Sequence, residues 1–179
     1  MGKRVELSFD KVTTRGGDRG ESSLYSGQRL RKDDIIFELL GDLDELSSTL
    51  GIVRAHIHSK DVLRIQKKLL TLGACAATMP ASPQYEQIVK ITPDDVAALE
   101  KLEHKLLGKT AVSSQFICPG ETVESAYIDV ARTIARRCER RCVTIIRERS
   151  RPDLIASQQY LNRLSDYLFI LARYSESHT

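Results

Sequence analysis

The most concentrated chemistry in this 179-residue chain is cationic. Between Arg132 and Arg151 stand eight arginines and only two acids, Glu139 and Glu148. At about 100° per residue, Arg132, Arg136, Glu139 and Arg140 fall on one arc of a helix. Ile134, Cys138, Cys142 and Ile145 take the neighbouring apolar side. Guanidiniums along one stripe repel each other unless an anion or a carboxylate sits among them. Glu139 can bridge part of that charge, and a triphosphate would complete the neutralisation through bidentate contacts. The alternative reading is a solvated helix face. Arg137 and Arg141 lie on the opposite face, where solvation or a subunit contact is expected.

A second cationic segment runs from Lys11 to Lys32. Within it Thr14, Arg15, Gly16, Gly17, Asp18, Arg19, Gly20, Glu21, Ser22 and Ser23 combine glycines, hydroxyls and charge. Neither the Gly-Lys-Ser/Thr ending of a Walker loop nor the spacing of a dinucleotide fingerprint is present. The composition nevertheless suits a phosphate cradle: glycines admit backbone N–H groups, hydroxyls donate, and Arg15, Arg19 and Lys32 supply charge. A flexible N-terminal tail is the competing reading. Near the other end, Asn162 and Asp166 stand one helical turn apart. They could hold a base or ribose, or a hydrated cation through the carboxylate; they could equally be a polar edge meeting a neighbouring helix. The four histidines offer no catalytic constellation, and the four cysteines lack metal-knuckle spacing. Buried free thiols are expected.

Helices must carry these groups. Ile35, Leu39, Leu43, Leu46, Leu50 and Val53 recur at spacings of three and four, predicting a helix over 34–57. Asp61 reads as the N-cap of the next, with Val62, Ile65, Leu69 and Leu72 inward and an end before Pro80. Thr92-Pro93-Asp94-Asp95 is a strong helix start, stopped at Gly108. A longer helix begins near Pro119-Gly120 and reaches Arg149, and a last one follows Pro152. Residues 1–33 read as a glycine-rich loop without strands. Residues 34–175 read as an all-α, five-helix up-and-down bundle, and 1–179 as a single domain.

Composition closes off several function classes. With 41% hydrophobic and 28% charged residues, the chain can close a core and remain soluble. Apolar runs fall far short of the roughly 20 residues that span a bilayer. Residues 1–10 show no secretory pattern, so a cytoplasmic protein is expected. Six tyrosines, four phenylalanines and no tryptophan, without a recognisable DNA- or RNA-binding signature, argue against a nucleic-acid partner.

Five ordered blocks carry a further observation: TRGGDRGESSLYSGQRLRKDD (14–34), GDLDELSSTLG (41–51), FICPGE (116–121), ARTIARRCERR (131–141) and YLNRLSDYLFILARY (160–174). Together they resemble the PduO-type ATP:cob(I)alamin adenosyltransferases, with DELSS and NRLSDYLF close to the mitochondrial branch. The resemblance implies a homotrimer with active sites between subunits. It also implies transfer of the 5′-deoxyadenosyl group of MgATP to the Co(I) of a corrinoid (cobalamin), with release of triphosphate. An electron-supplying reductase and an adenosylcobalamin-dependent enzyme are its implied partners. It places ATP on Thr14 to Ser23, Lys32, Arg136, Arg137, Glu139, Arg140 and Asn162, and assigns catalytic roles to Arg132, Arg136, Glu139, Arg140 and Asp44. Asp44 corresponds to the aspartate that pairs across the interface with the arginine at Arg132. Phe116 and Asp166 fall on the corrinoid side; the metal site is not assigned. Gly16, Cys118 and Glu121 depart from the family pattern. The altered segment after Phe116 keeps open a second class, a bundle that binds ATP or corrinoid without turnover and delivers cofactor to a partner.

Overall fold

The computed structural model describes residues 8–110 and 116–178. A short helix α1 (Phe9–Val12) precedes a two-stranded hairpin, β1 (Glu21–Ser23) and β2 (Arg29–Arg31). Five long helices follow: α2 (Ile35–Ile57), α3 (Lys60–Ala76), α4 (Pro93–Leu107), α5 (Val123–Glu148) and α6 (Ile155–Glu176). Short 3-10 turns at Pro83–Gln87 and Pro152–Leu154 shape two of the connections. Among the described residues no helix is long and apolar enough to cross a membrane.

The expected stripes are the core. Leu39, Leu46, Leu50 and Val53 of α2, Val62, Ile65 and Leu72 of α3, and Ile128, Cys138, Cys142 and Ile145 of α5 are buried together with Leu161, Leu164 and Leu168 of α6. Each such aliphatic side chain contributes about 1.5–3 kcal/mol on burial. Polar cross-contacts show the directions. Glu38–Arg141 near one end and His56–Glu124 near the other run α2 antiparallel to α5. Glu139–Asn162 and Asp129–Arg173 do the same for α5 and α6. Gln66 donates to the Ser47 carbonyl between α2 and α3. The bundle is therefore up-and-down, with α5 lying between α2 and α6 and α4 against α6.

Local chemistry corrects several boundaries. The N-terminal segment is not strand-free: Glu21, Ser22 and Ser23 pair antiparallel with Arg31, Leu30 and Arg29. Buried Leu24 and partly buried Leu30 anchor the hairpin on the core, an effect too short in sequence to leave a periodic signal. Ser59, not Asp61, caps α3, its hydroxyl accepting from the Val62 N–H, while Asp61 sits in the first turn. The cap of α5 is Thr122, three residues beyond the expected start, and it forms a reciprocal pair with Ser125. Thr92 caps α4 with Asp95 as expected.

Candidate functional site

The hairpin base shapes the glycine loop. The Lys32 N–H donates to the Gly20 carbonyl (2.8 Å), and the Gly20 N–H donates to the Gly17 carbonyl (3.1 Å). Gly20 stands at φ 78°, a conformation that favours glycine. Arg29 donates to the Gly16 carbonyl at 3.1 Å and pairs with Glu21 at 3.3 Å. The Lys32 ammonium passes so close to Gly17 that a Cβ there would meet Nζ at 2.7 Å. At Gly16 a Cβ would meet only the Thr14 hydroxyl, at 3.7 Å. A side chain at 17 would thus displace the lysine tip from its place, whereas position 16 has room for one. Thr14, Arg15, Asp18, Arg19 and Ser23 are exposed around this lysine-over-glycine contact, and Ser22 is half-buried.

On α5 the structure sorts the arginines by partner. Arg137 and Arg141, half-buried rather than fully solvated, are held by acids of the same chain. Arg137 pairs with Asp42 and Glu45 of α2, and Arg141 with Asp42 and Glu38. Glu38, Asp42 and Glu45 recur at four and three residues, an acidic stripe on α2 that could have been matched to the basic helix. Arg149 pairs with Asp34 at 2.6 Å and Arg147 with Glu148 at 3.2 Å. Arg151 does not belong to a cationic surface at all. It is 1% exposed, bound to Asp153 and to the Cys75 and Ala76 carbonyls at the end of α3.

Arg132 donates to Asp129 at 2.7 Å, and the other oxygen of that buried carboxylate accepts from buried Arg173. No hydrogen bond or ion pair joins Arg132 to Asp44 among the described residues. Asp44 is exposed, at the rim of an apolar groove lined by Leu40, Leu43, Leu70 and Gly73.

That leaves Arg136 and Arg140. Both are exposed, one turn apart, and among the described residues neither has a carboxylate partner; Arg140 donates only to the Arg136 carbonyl. Beside them Glu139 accepts from Asn162 (3.1 Å) and from Gln158 (3.2 Å). The arginine helix and the last helix thus meet at Glu139 and Asn162, so Asn162 is a polar group at a helix–helix contact. Gln158 had no assigned role in the sequence, and its signal was its position one turn before Asn162. Asp166 is exposed and faces Glu103, whose carboxyl is pushed up by burial and by the Asp166 charge.

Phe116 is fully exposed, an apolar ring free of the core. Cys118 is exposed too, against the expectation of four buried thiols, because its segment lies outside the bundle. Burial pushes the Cys138 and Cys142 thiols up to about 12. Among the described residues no three His, Cys, Asp or Glu side chains cluster as a metal site.

A profile of the family described as cobalamin adenosyltransferase matches residues 12–175. A corrinoid adenosyltransferase of Citrobacter freundii is 36% identical over 172 residues, 93% of this chain and 96% of its own. The human corrinoid adenosyltransferase is 35% identical over 174 residues, 92% of this chain and 68% of its own. Among solved structures, a phenylalanine-to-alanine variant of the PduO-type ATP:corrinoid adenosyltransferase from Lactobacillus reuteri, complexed with cobalamin and ATP, matches with a TM-score of 0.83. Its identity is 30%, over 93% of this chain and 94% of that one.

Proposed function

The chain belongs to the cobalamin adenosyltransferase family, and from that premise we propose that it is an ATP:cob(I)alamin adenosyltransferase. It joins the 5′-deoxyadenosyl group of MgATP to the Co(I) of a corrinoid substrate. The cobalt lone pair forms the Co–C5′ bond, the C5′–O bond breaks, and its electron pair leaves on triphosphate. Co(I) is already a strong nucleophile, so no Ser, Cys or His is needed to attack. What remains for the protein is orientation and the stabilisation of charge on the leaving group.

The observation that carries this reading is that Arg136 and Arg140, beside the Glu139–Asn162 contact, have no carboxylate partner among the described residues. Two guanidiniums one turn apart without carboxylate partners attract an anion with several oxygens. We assign the departing phosphates to Arg136 and Arg140, with Glu139 and Asn162 orienting the nucleoside end and Arg132 at the edge of the site. Thr14 to Ser23 and Lys32 form the phosphate cradle. Arg137, held by Asp42 and Glu45, is assigned to docking α5 on α2. Magnesium would arrive on the phosphates, keeping several of its waters.

The two cationic halves are far apart within one chain. The loop docks where Asp34 meets Arg149, and Arg136 lies thirteen residues earlier on α5, about 20 Å at 1.5 Å per residue. A homotrimer in which the loop of one subunit faces the arginines of the next would bring the two cationic segments onto one triphosphate. In that arrangement Asp44 reaches the partner's arginine helix, and Phe116 and Asp166 border the corrinoid, the ring displacing its lower ligand. We propose the whole chain as one such domain, working in the cytoplasm with a reductase upstream and an adenosylcobalamin-dependent enzyme downstream.

Anaerobic incubation of the protein with MgATP and chemically reduced cobalamin tests the reading. Adenosylcobalamin is expected; ATP and corrinoid binding without product would establish a cofactor-delivering bundle instead.

A further inference from the structure

Asn162 stands between two groups of opposite kind. On one side its Nδ2 donates to Glu139 Oε1 at 3.1 Å, and on the other its Oδ1 accepts from Arg163 Nη1. Carboxylates only accept and guanidiniums only donate. Reversing the amide would set an oxygen against a carboxylate and N–H groups against a guanidinium, replacing two hydrogen bonds by two repulsions. Glu139 thus holds the amide end of Asn162 and Arg163 its carbonyl end, and the position of Arg163 helps to set the orientation. Arg163 is held from a third helix: its Nε donates to Glu100 Oε1 of α4 at 2.7 Å. Gln158 donates to the same Glu139 oxygen as Asn162, at 3.2 Å, so that oxygen carries two donors and Oε2 none among the described residues.

We propose that Glu100, on α4 and outside every motif of the site, is a positioning residue that fixes the Asn162 amide through Arg163. The relay Glu100–Arg163–Asn162–Glu139 ties α4, α6 and α5 together at one level. It presents one N–H of Asn162 and the Oε2 of Glu139 to the bound nucleotide. The proposal rests on the reading of Asn162 and Glu139 as nucleotide-orienting groups.

A merely structural role makes a different forecast. Both side chains of the Glu100–Arg163 pair are about two-fifths exposed, and ion pairs of that kind contribute little to stability. A purely structural pair would leave turnover unchanged when broken.

The test uses the full-length protein and its Glu100→Gln, Arg163→Met and doubly substituted variants. Each is assayed for anaerobic adenosylation at varied MgATP, for its melting temperature, and for the 15N side-chain amide signal of Asn162, assigned by its loss in Asn162→Asp. We expect Glu100→Gln to lower kcat/KM for ATP about tenfold, the scale of a modest misorientation, with the melting temperature unchanged. The double variant should be no worse than Arg163→Met alone, because Glu100 acts only through Arg163. The Asn162 amide signal should shift in Glu100→Gln. Wild-type kcat/KM in Glu100→Gln, or losses that multiply in the double variant, overturn the relay. If the unsubstituted protein makes no product, the adenosyltransferase reading falls instead. An unmoved Asn162 signal in Glu100→Gln then overturns the relay separately, and a shifted one upholds its geometry.

Discussion

Arg137 on α5 lies 3.0 Å from Asp42 on α2, while Arg136, its neighbour in sequence, faces outward with no carboxylate partner among the described residues. Adjacent arginines on a helix point about 100° apart, so one is consumed by packing and the other remains available to a ligand. Their substitutions should therefore separate. Arg136→Ala is expected to lower kcat by about 100-fold or more with an unchanged urea midpoint. Arg137→Met should instead lower the midpoint, because it leaves Asp42, 9% exposed, with only Arg141 to balance it. Denaturation curves and steady-state kinetics on both variants check the contrast. Equal activity losses in the two would contradict it.

The glycine loop makes a second prediction. Gly17→Ala forces the Lys32 ammonium aside, since the added methyl would stand 2.7 Å from Nζ. The lysine tip is flexible, so folding should survive, and KM for ATP should rise about tenfold as the cation leaves its place. Gly16→Ser meets only the Thr14 hydroxyl at 3.7 Å and should leave the melting temperature unaltered. Kinetics of the two variants side by side test whether position 17, rather than glycine content, matters.

A third concerns acid stability. Burial alone would raise the Asp153 carboxyl, but hydrogen bonds from Arg151 and Tyr85 outweigh it and hold that carboxyl below the usual carboxylate range. Its contribution is complete above the unfolded value, near pH 4, and is lost as pH falls through the lower folded value. Asp153→Asn leaves the Arg151 charge buried and should cost about 3 kcal/mol at pH 7. Urea denaturation at pH 7 and at decreasing acid pH should show the difference from the unsubstituted protein shrinking towards the acid end.

The thiols give a fourth. Burial raises Cys75 and pushes Cys138 and Cys142 up to about 12, while Cys118 is exposed. A thiolate is the reactive species, so a colorimetric thiol reagent should titrate one cysteine in the native protein and four after denaturation. Two or more fast-reacting native thiols would show that the α5 core opens readily.

By itself the sequence determined the five helices, their apolar stripes and the order of the five motif blocks, because helical periodicity and capping are read from residues three and four apart. It also determined that arginine would dominate α5. Which arginines are free was decided only by tertiary structure: the acids that neutralise Arg137 and Arg141 stand on α2, and the carboxylates that pair with Asn162 and Arg163 stand on α5 and α4. The hairpin that gathers the glycine loop around Lys32 was invisible for the same reason, since three-residue strands acquire their register from each other and from the core beneath Leu24. Charge pairing and register depend on distances between segments remote in sequence, and those distances exist only once the helices have packed.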